Sequence, residues 1–135
     1  MSEFRKVTDD LSVAPQVAAS DMARAAQEGF KLVVNNRPDG EDPGQPSNAE
    51  IEAAARAAGL DYVFLPFAGR PPPDLAERVR AEIEARGVKT LMFCRTGTRC
   101  INIWALGQAM AGSRSRDELV ELGYGAGYDV RGTLG

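Results

Sequence analysis

The residues with the clearest chemical potential form one short run, Cys94-Arg95-Thr96-Gly97-Thr98-Arg99. A cysteine attacks as its thiolate, and a thiol of ordinary pKa is mostly protonated at neutral pH. The predicted place of this run, between a strand and a helix, would aim backbone N–H groups and the helix dipole at the Cys94 sulfur. Gly97 allows the tight or positive-φ backbone that a ring of amides needs. We therefore predict that Cys94 is an activated nucleophile at the floor of an anion-binding loop.

The other residues of the loop would hold the anion. Arg95 and Arg99 add fixed positive charge, and either guanidinium can present two N–H groups to one anion. Thr96 and Thr98 carry hydroxyls that can reach the sulfur or the anion. The loop is thus a candidate cradle for a small anionic substrate.

The two cysteines have different predicted roles. A free cysteine is often only a small core residue, but Cys94 coincides with a glycine and two arginines at a strand-to-helix turn. Cys100 begins an apolar helix face, which favours packing. The alternative is that Cys100 is a resolving thiol that protects Cys94 as a disulfide.

The chain contains no histidine. This excludes a Ser-His-Asp triad and a papain-like Cys-His pair, and it argues against a transition-metal site. A net charge of −3, from 16 basic and 19 acidic residues, predicts neither a nucleic-acid partner nor a membrane partner. Two cysteines without a secretory signal predict a cytoplasmic protein with reduced thiols.

Apolar runs alternate with helical segments along the chain, which predicts one three-layer α/β domain over 1–135 with a mainly parallel sheet. Strands are expected near residue 7 and at 11–13, 30–35, 62–65 and 88–93. Helices are expected after caps at Ser20, Ser47, Asp74 and Ser115, with another from Cys100 to Ala111. The glycine-rich tail from Gly123 is expected to be weakly ordered.

Ligands of such sheets bind beyond the carboxyl ends of the strands. Cys94 and the polar loop 36–46 both follow predicted strands, so they can line one crevice. A loop of this length in a small domain is usually functional or mobile. Arg37, at its start, is either a surface arginine or a contact for the substrate anion.

The loop 94–99 resembles the cysteine-based active-site loop of rhodaneses and protein tyrosine phosphatases. Together with the segment 35–41 and Gln45-Pro46, it makes the chain from about Val7 to Tyr128 similar to one bacterial family. That family is the phosphatase-like, or sulfurtransferase, domain of beta-lactamase-hydrolase-like proteins. The resemblance implies a protein tyrosine phosphatase-like fold with a four- or five-stranded sheet flanked by helices. In some bacteria the domain accompanies a persulfide dioxygenase, which implies a role in sulfide handling and such an enzyme as partner.

The number of residues between Cys94 and Arg99 helps to choose between two possible reactions. Phosphatases place five residues between the cysteine and the arginine, whereas four separate Cys94 from Arg99, as in rhodaneses. Phosphatases also usually carry histidine before the cysteine, where this chain has Phe93. The leading interpretation is a sulfurtransferase that forms a Cys94 persulfide from thiosulfate or another persulfide and passes sulfur to a thiol acceptor. No cofactor is required.

The alternative interpretation is a phosphomonoester hydrolase that works through a phosphocysteine. It needs a general acid for the leaving oxygen, and the candidates are Asp39 and Asp74. Each also has an ordinary structural role, because Asp39 lies in a Pro-Asp-Gly turn and Asp74 precedes Glu77 in a capping-box pattern. A third interpretation is an anion-binding module without turnover.

Overall fold

The computed structural model describes residues 2–135. Its centre is a five-stranded sheet in the order β1-β2-β5-β3-β4. The first two strands pair antiparallel, and the other three pairings are parallel. The mainly parallel α/β fold is therefore confirmed. The strands are β1 (Arg5–Thr8), β2 (Leu11–Ala14), β3 (Leu32–Asn35), β4 (Asp61–Phe64) and β5 (Thr90–Phe93).

Helices cover both faces of this sheet. They are α1 (Asp21–Gln27), α2 (Asn48–Ala57), α3 (Pro73–Arg86), α4 (Thr98–Ala111), α5 (Arg116–Gly125) and α6 (Arg131–Leu134). Within residues 2–135, no helix has both the length and the apolar character needed to cross a bilayer.

The core consists of two apolar clusters, one on each face. Met92 and Cys94 belong to the cluster formed with α3, α4 and α5, whereas Leu91 and Phe93 belong to the cluster with α1 and α2. This division follows from the strand itself, since successive side chains of β5 point to opposite faces. The sheet is therefore the middle layer, and Cys94 leaves it on the side of α4.

Two of the predicted helix caps are confirmed, and two are wrong. Ser47 and Ser115 accept hydrogen bonds from the backbone N–H groups of Glu50 and Glu118, both at 3.1 Å. Ser20 makes no such bond. Helix α3 begins earlier than expected, at Pro73, because proline is well suited to the first turn. Asp74 consequently lies inside the helix.

The C-terminal segment is better anchored than its glycines suggest. Helix α5 continues to Gly125, and the side chains of Tyr128 and Val130 are buried in the cluster that contains Cys94. The backbone N–H of Tyr128 donates to the carbonyl of Gly123 at 2.8 Å. The prediction of a weakly ordered tail is wrong because these apolar side chains fix it.

The contact between α3 and α4 depends on one glycine. A Cβ atom at Gly107 would lie 2.8 Å from the carbonyl oxygen of Ala76, which is closer than real Cβ contacts allow. We predict that Gly107→Ala lowers the free energy of unfolding by about 1–3 kcal/mol, because the helices must separate. Gly125→Ala is the matched control, since nothing lies within 4 Å of a Cβ there. Equal urea midpoints for the two variants would refute the prediction.

Candidate active site

Cys94 lies directly after β5, and its side chain is fully buried. Its backbone N–H donates to the carbonyl of Ala14 at 3.3 Å, which continues the sheet one residue further. The chain then turns at Gly97, whose φ of +90° favours glycine. This turn aims the Gly97 N–H at the Cys94 sulfur at 3.1 Å. The predicted geometry, a sulfur beneath a strand-to-helix loop, is what the structure contains.

The surroundings of Cys94 favour its thiolate. A hydrogen bond from the Cys100 side chain, helped by the backbone N–H groups of Cys100, Thr96 and Gly97, lowers the pKa of Cys94 to about 6 although burial opposes the charge. Because this pKa lies below neutrality, the sulfur is mostly ionised at pH 7. The helix N-terminus thus supplies the activation that a histidine supplies elsewhere.

Cys100 lies in the first turn of α4 and is fully buried. Burial, and then the neighbouring Cys94, raise the pKa of Cys100, so it stays protonated and can donate to the thiolate. Both cysteines are free thiols. Cys100 therefore packs in the core, as predicted for an apolar helix face, and its thiol also contacts the Cys94 sulfur. The resolving-thiol role stays a prediction.

Arg99 is held by a carboxylate from a distant part of the chain. Its Nη1 and Nη2 atoms donate to Oε2 and Oε1 of Glu41, both at 2.8 Å, and Nη1 also donates to the carbonyl of Phe67 at 3.0 Å. This pair lowers the pKa of Glu41 to about 2, with Arg99 as the largest cause and Arg37 also contributing. The carboxylate is therefore ionised throughout the physiological range.

The pairing leaves one edge of the Arg99 guanidinium open. Of its five N–H donors, two on Nη1 and one on Nη2 are used by Glu41 and Phe67. The Nε–H and the second N–H of Nη2 have no partner among residues 2–135. These two donors lie on the same side of the planar group and form the fork that binds an oxyanion.

Arg37 is buried and bonded to other protein groups, which is not the arrangement expected of a residue that contacts the substrate. Its side chain is only 4% exposed, and it donates to Glu41 at 2.9 Å, Gln16 at 3.1 Å and Asp42 at 2.7 Å. All three guanidinium nitrogens are therefore occupied by the protein. Arg37 positions the carboxylate that in turn positions Arg99.

The remaining loop residues surround the sulfur less directly than predicted. The Arg95 side chain is largely exposed and lies 3.7 Å from Asp42, beyond hydrogen-bond range. The hydroxyls of Thr96 and Thr98 lie 2.9 Å apart and bond to each other. Their contribution in the described structure is through the backbone and the loop shape, while their side chains face outwards.

Three supporting residues were missed by sequence reasoning. Glu41 holds Arg99, as described above. The Tyr128 hydroxyl donates to the carbonyl of Thr96 at 2.7 Å and so fixes the loop from the C-terminal segment. The buried Asn36 donates to the carbonyl of Leu65 at 2.9 Å, next to the segment that supplies the Phe67 carbonyl. The only sequence signal for Asn36 and Glu41 is their place in the polar loop 36–46, and Tyr128 is marked only as an aromatic residue close to several glycines.

Neither candidate general acid lies in the crevice beside the loop. Asp39 accepts the backbone N–H of Asn48 at 2.7 Å and thus helps to begin α2. Asp74 is exposed in the first turn of α3. The crevice that adjoins Arg99 and Thr98 has no aspartate or glutamate in its lining. The structural roles of both aspartates are therefore the ones that the geometry supports.

Across residues 2–135, no group of three or more histidine, cysteine, aspartate or glutamate side chains is arranged to hold a metal ion.

Comparisons of the sequence with known proteins agree with the observed fold. Residues 3–111 match the family described as beta-lactamase hydrolase-like protein, phosphatase-like domain. A beta-lactamase hydrolase-like protein of Agrobacterium fabrum is 36% identical in an alignment of 130 positions that covers 93% of this chain and 29% of that protein. The chain thus spans less than a third of the length of the curated relative it matches.

Solved structures of other proteins share the fold of this chain. A candidate phosphatase from Neisseria meningitidis superposes with a TM-score of 0.83 at 28% identity, covering 97% of this chain and 93% of the other. A mouse protein described as a dual specificity phosphatase candidate gives a TM-score of 0.70 at 18% identity, covering 97% and 80%. The chain has the protein tyrosine phosphatase-like fold. These findings agree better with the phosphatase alternative than with the sulfurtransferase interpretation, for which they contain no support.

The thiolate can be tested by titration. We predict that the ultraviolet absorbance of wild-type thiolate rises with a midpoint near pH 6, and that Cys94→Ser abolishes this step. Cys100→Ala removes the largest stabilising hydrogen bond and should move the midpoint to higher pH, whereas Cys100→Ser retains a donor and should restore part of the shift. An unchanged midpoint in Cys100→Ala would exclude Cys100 as the cause.

Proposed function

This chain belongs to the family of phosphatase-like domains of beta-lactamase hydrolase-like proteins, and on that basis we propose that it hydrolyses phosphomonoesters through a phosphocysteine at Cys94. The observation that carries the proposal is the pairing of an ionised, buried sulfur with an arginine whose oxyanion fork is open. A thiolate at the base of such a loop can attack phosphorus, and the fork can hold the phosphoryl oxygens.

The covalent step forms one bond and breaks one. The Cys94 sulfur bonds to phosphorus while the bond from phosphorus to the ester oxygen breaks, and the leaving oxygen takes its electron pair and then a proton from water. In the second step, water attacks phosphorus, the S–P bond breaks, and the thiolate returns with inorganic phosphate as product. The backbone amides that face the sulfur stabilise the thiolate again by hydrogen bonds when it reforms.

Arg99 contributes by position as much as by charge. Glu41 accepts hydrogen bonds from Nη1 and Nη2 at the end of the guanidinium. Rotation of the Arg99 side chain away from the loop would therefore break two hydrogen bonds of 2.8 Å. The remaining Nε and Nη2 donors are thereby fixed before substrate arrives. Fixed donors stabilise developing charge without the reorganisation that mobile ones require.

The leaving group determines which esters can react. No carboxylate lines the crevice beside Arg99, and the two carboxylates beside the loop arginines, Glu41 and Asp42, are held in ion pairs with Arg37. We therefore expect the leaving oxygen to depart without a proton from an aspartate. Aryl phosphates have leaving groups that tolerate this, whereas alkyl phosphates need protonation. An aryl phosphate is therefore the appropriate first substrate.

We predict that the wild-type protein hydrolyses 4-nitrophenyl phosphate and that Cys94→Ser does not. Arg99→Lys keeps the charge but loses the fork, and it should lower kcat by roughly 100-fold or more. Arg78→Lys, at an exposed ion pair within α3, is the matched control and should retain full activity. Phosphate release in a continuous assay is the measurement.

Two results would contradict the phosphatase proposal. Hydrolysis by Cys94→Ser at the wild-type rate would remove the cysteine from the reaction. If no ester is hydrolysed, yet inorganic phosphate raises the melting temperature of the wild type, the loop is an anion-binding module without turnover.

A second candidate function is favoured by two observations. Four residues separate Cys94 from Arg99, which makes a smaller ring than that of phosphatases, and the crevice contains no general acid. Sulfur transfer needs neither a wide cradle nor an acid. The Cys94 thiolate would attack the sulfane sulfur of thiosulfate and release sulfite. A thiol acceptor would then take the outer sulfur of the Cys94 persulfide and return the thiolate.

Mass spectrometry distinguishes this second function. If the chain transfers sulfur, thiosulfate should add the mass of one sulfur atom to wild type, and a thiol acceptor should remove it. Cys100→Ser, which keeps Cys94, serves as the control and should still be modified, whereas Cys94→Ser should not. Modification of Cys94→Ser, or an unmodified wild type that hydrolyses the aryl phosphate, would contradict the sulfurtransferase function.

A further inference from the structure

We propose that Arg70 binds a second anionic group of the substrate, so that the molecule recognised here carries a carboxylate or phosphate apart from the phosphoryl group that reacts at Cys94. The inference rests on the proposed function, because it takes the Arg99 fork as the site of the reacting anion. It adds a specificity-determining residue and narrows the substrate to small organic phosphomonoesters that carry a second anionic group.

Arg70 and Arg99 line one crevice of about 420 Å³. Phe67, Pro71, Thr98 and Asn102 are among the other residues of its lining. The crevice thus contains two guanidinium groups and no acidic side chain. Glu41, which lies outside this lining, pairs with Arg99, whereas Arg70 has no such carboxylate, so an anion in the crevice is attracted mainly to Arg70.

Arg70 differs from every other arginine of the chain. Across residues 2–135, each of the other twelve arginines has an ion pair or a hydrogen bond to the protein. Arg70 has neither. An arginine at an open surface can be satisfied by water alone, but this one faces the crevice next to the arginine that binds the reacting group. Its five donors are therefore available to a ligand.

The backbone around Arg70 is restrained. Pro71, Pro72 and Pro73 follow, and the proline ring fixes φ at each of them. A side chain carried on a stiff segment loses less backbone freedom when it binds a ligand, so more of its interaction energy appears as affinity.

The crevice also offers apolar surface for the body of such a molecule. Phe67 and Pro71 belong to its lining, and Phe67 is fixed because its backbone N–H donates to the carbonyl of Asn36 at 3.2 Å. An aromatic ester with a second acid group combines the features that this lining selects. The two arginines would meet its two charges, and the ring would contact the apolar residues between.

Binding of two non-hydrolysable ligands tests the inference. Calorimetry would compare benzylphosphonate with (4-carboxybenzyl)phosphonate, which differ only in the second anionic group. We expect the wild-type protein to bind the carboxyl-bearing ligand at least about tenfold more tightly, as one charge-assisted arginine contact allows. In Arg70→Ala this ratio should fall to about one, and Arg70→Lys should restore part of it.

Arg78→Ala is the control, because Arg78 is an exposed arginine of α3 that pairs with Glu82 and lies outside the crevice lining. It should leave the ratio of the two affinities at the wild-type value. A ratio that stays high in Arg70→Ala, or that is near one in wild type, overturns the inference.

Failure of the proposed function has a different signature. If the carboxyl-bearing ligand is preferred through Arg70 while aryl phosphates are not hydrolysed, the inference stands and the phosphatase proposal falls. If aryl phosphates are hydrolysed but the two phosphonates bind equally, only the inference falls. If neither phosphonate binds to wild type, the inference is overturned, and hydrolysis of 4-nitrophenyl phosphate decides the phosphatase proposal separately.

Discussion

A negative charge on a buried sulfur is the constraint on which the rest of this site depends. Desolvation alone would keep Cys94 protonated, so the fold must supply hydrogen-bond donors that stabilise the thiolate in place of water. The chain has no histidine for this purpose. It uses the first turn of α4 instead, where unpaired N–H groups and the Cys100 thiol point towards the sulfur. The positive φ of Gly97 makes that convergence possible.

The second requirement is a fixed arginine, and it connects distant parts of the chain. The segment after β3 carries both Arg37 and Glu41, and their 2.9 Å hydrogen bond holds the carboxylate against Arg99. Asn36, in the same segment, fixes the chain after β4 through its own carbonyl and side chain. The Phe67 carbonyl then accepts from Arg99. Two loops from neighbouring strands therefore orient one guanidinium, which explains why a small domain contains a long ordered loop.

Local features of this fold could be predicted from the sequence, and long-range ones could not. The caps at Ser47 and Ser115 are local, because their partners are three residues away. The Cys94 loop is local as well, since six consecutive residues define it. The pair of Arg99 with Glu41 joins residues 58 positions apart, and neither periodicity nor composition marks it. The Tyr128 anchor could not be predicted for another reason, because the surrounding glycines suggested disorder, whereas the buried side chains of Tyr128 and Val130 fix the segment.

Phosphoryl transfer and sulfur transfer place the same demands on Cys94 and Arg99, since both need a thiolate and a bound oxyanion. The two reactions differ at the leaving group. Sulfite departs from thiosulfate as a stable anion, but an ester oxygen departs readily only when it is protonated or when an aromatic ring stabilises its charge. With Asp39 bonded at the start of α2 and Asp74 exposed on α3, the crevice presents arginines to the departing group. Such an environment stabilises anions and does not deliver protons, so under either proposed reaction we expect only groups that can leave as anions to react. In both proposed reactions the loop 94–99 would determine how the substrate is attacked, and the composition of the neighbouring crevice would determine which substrates can complete the reaction.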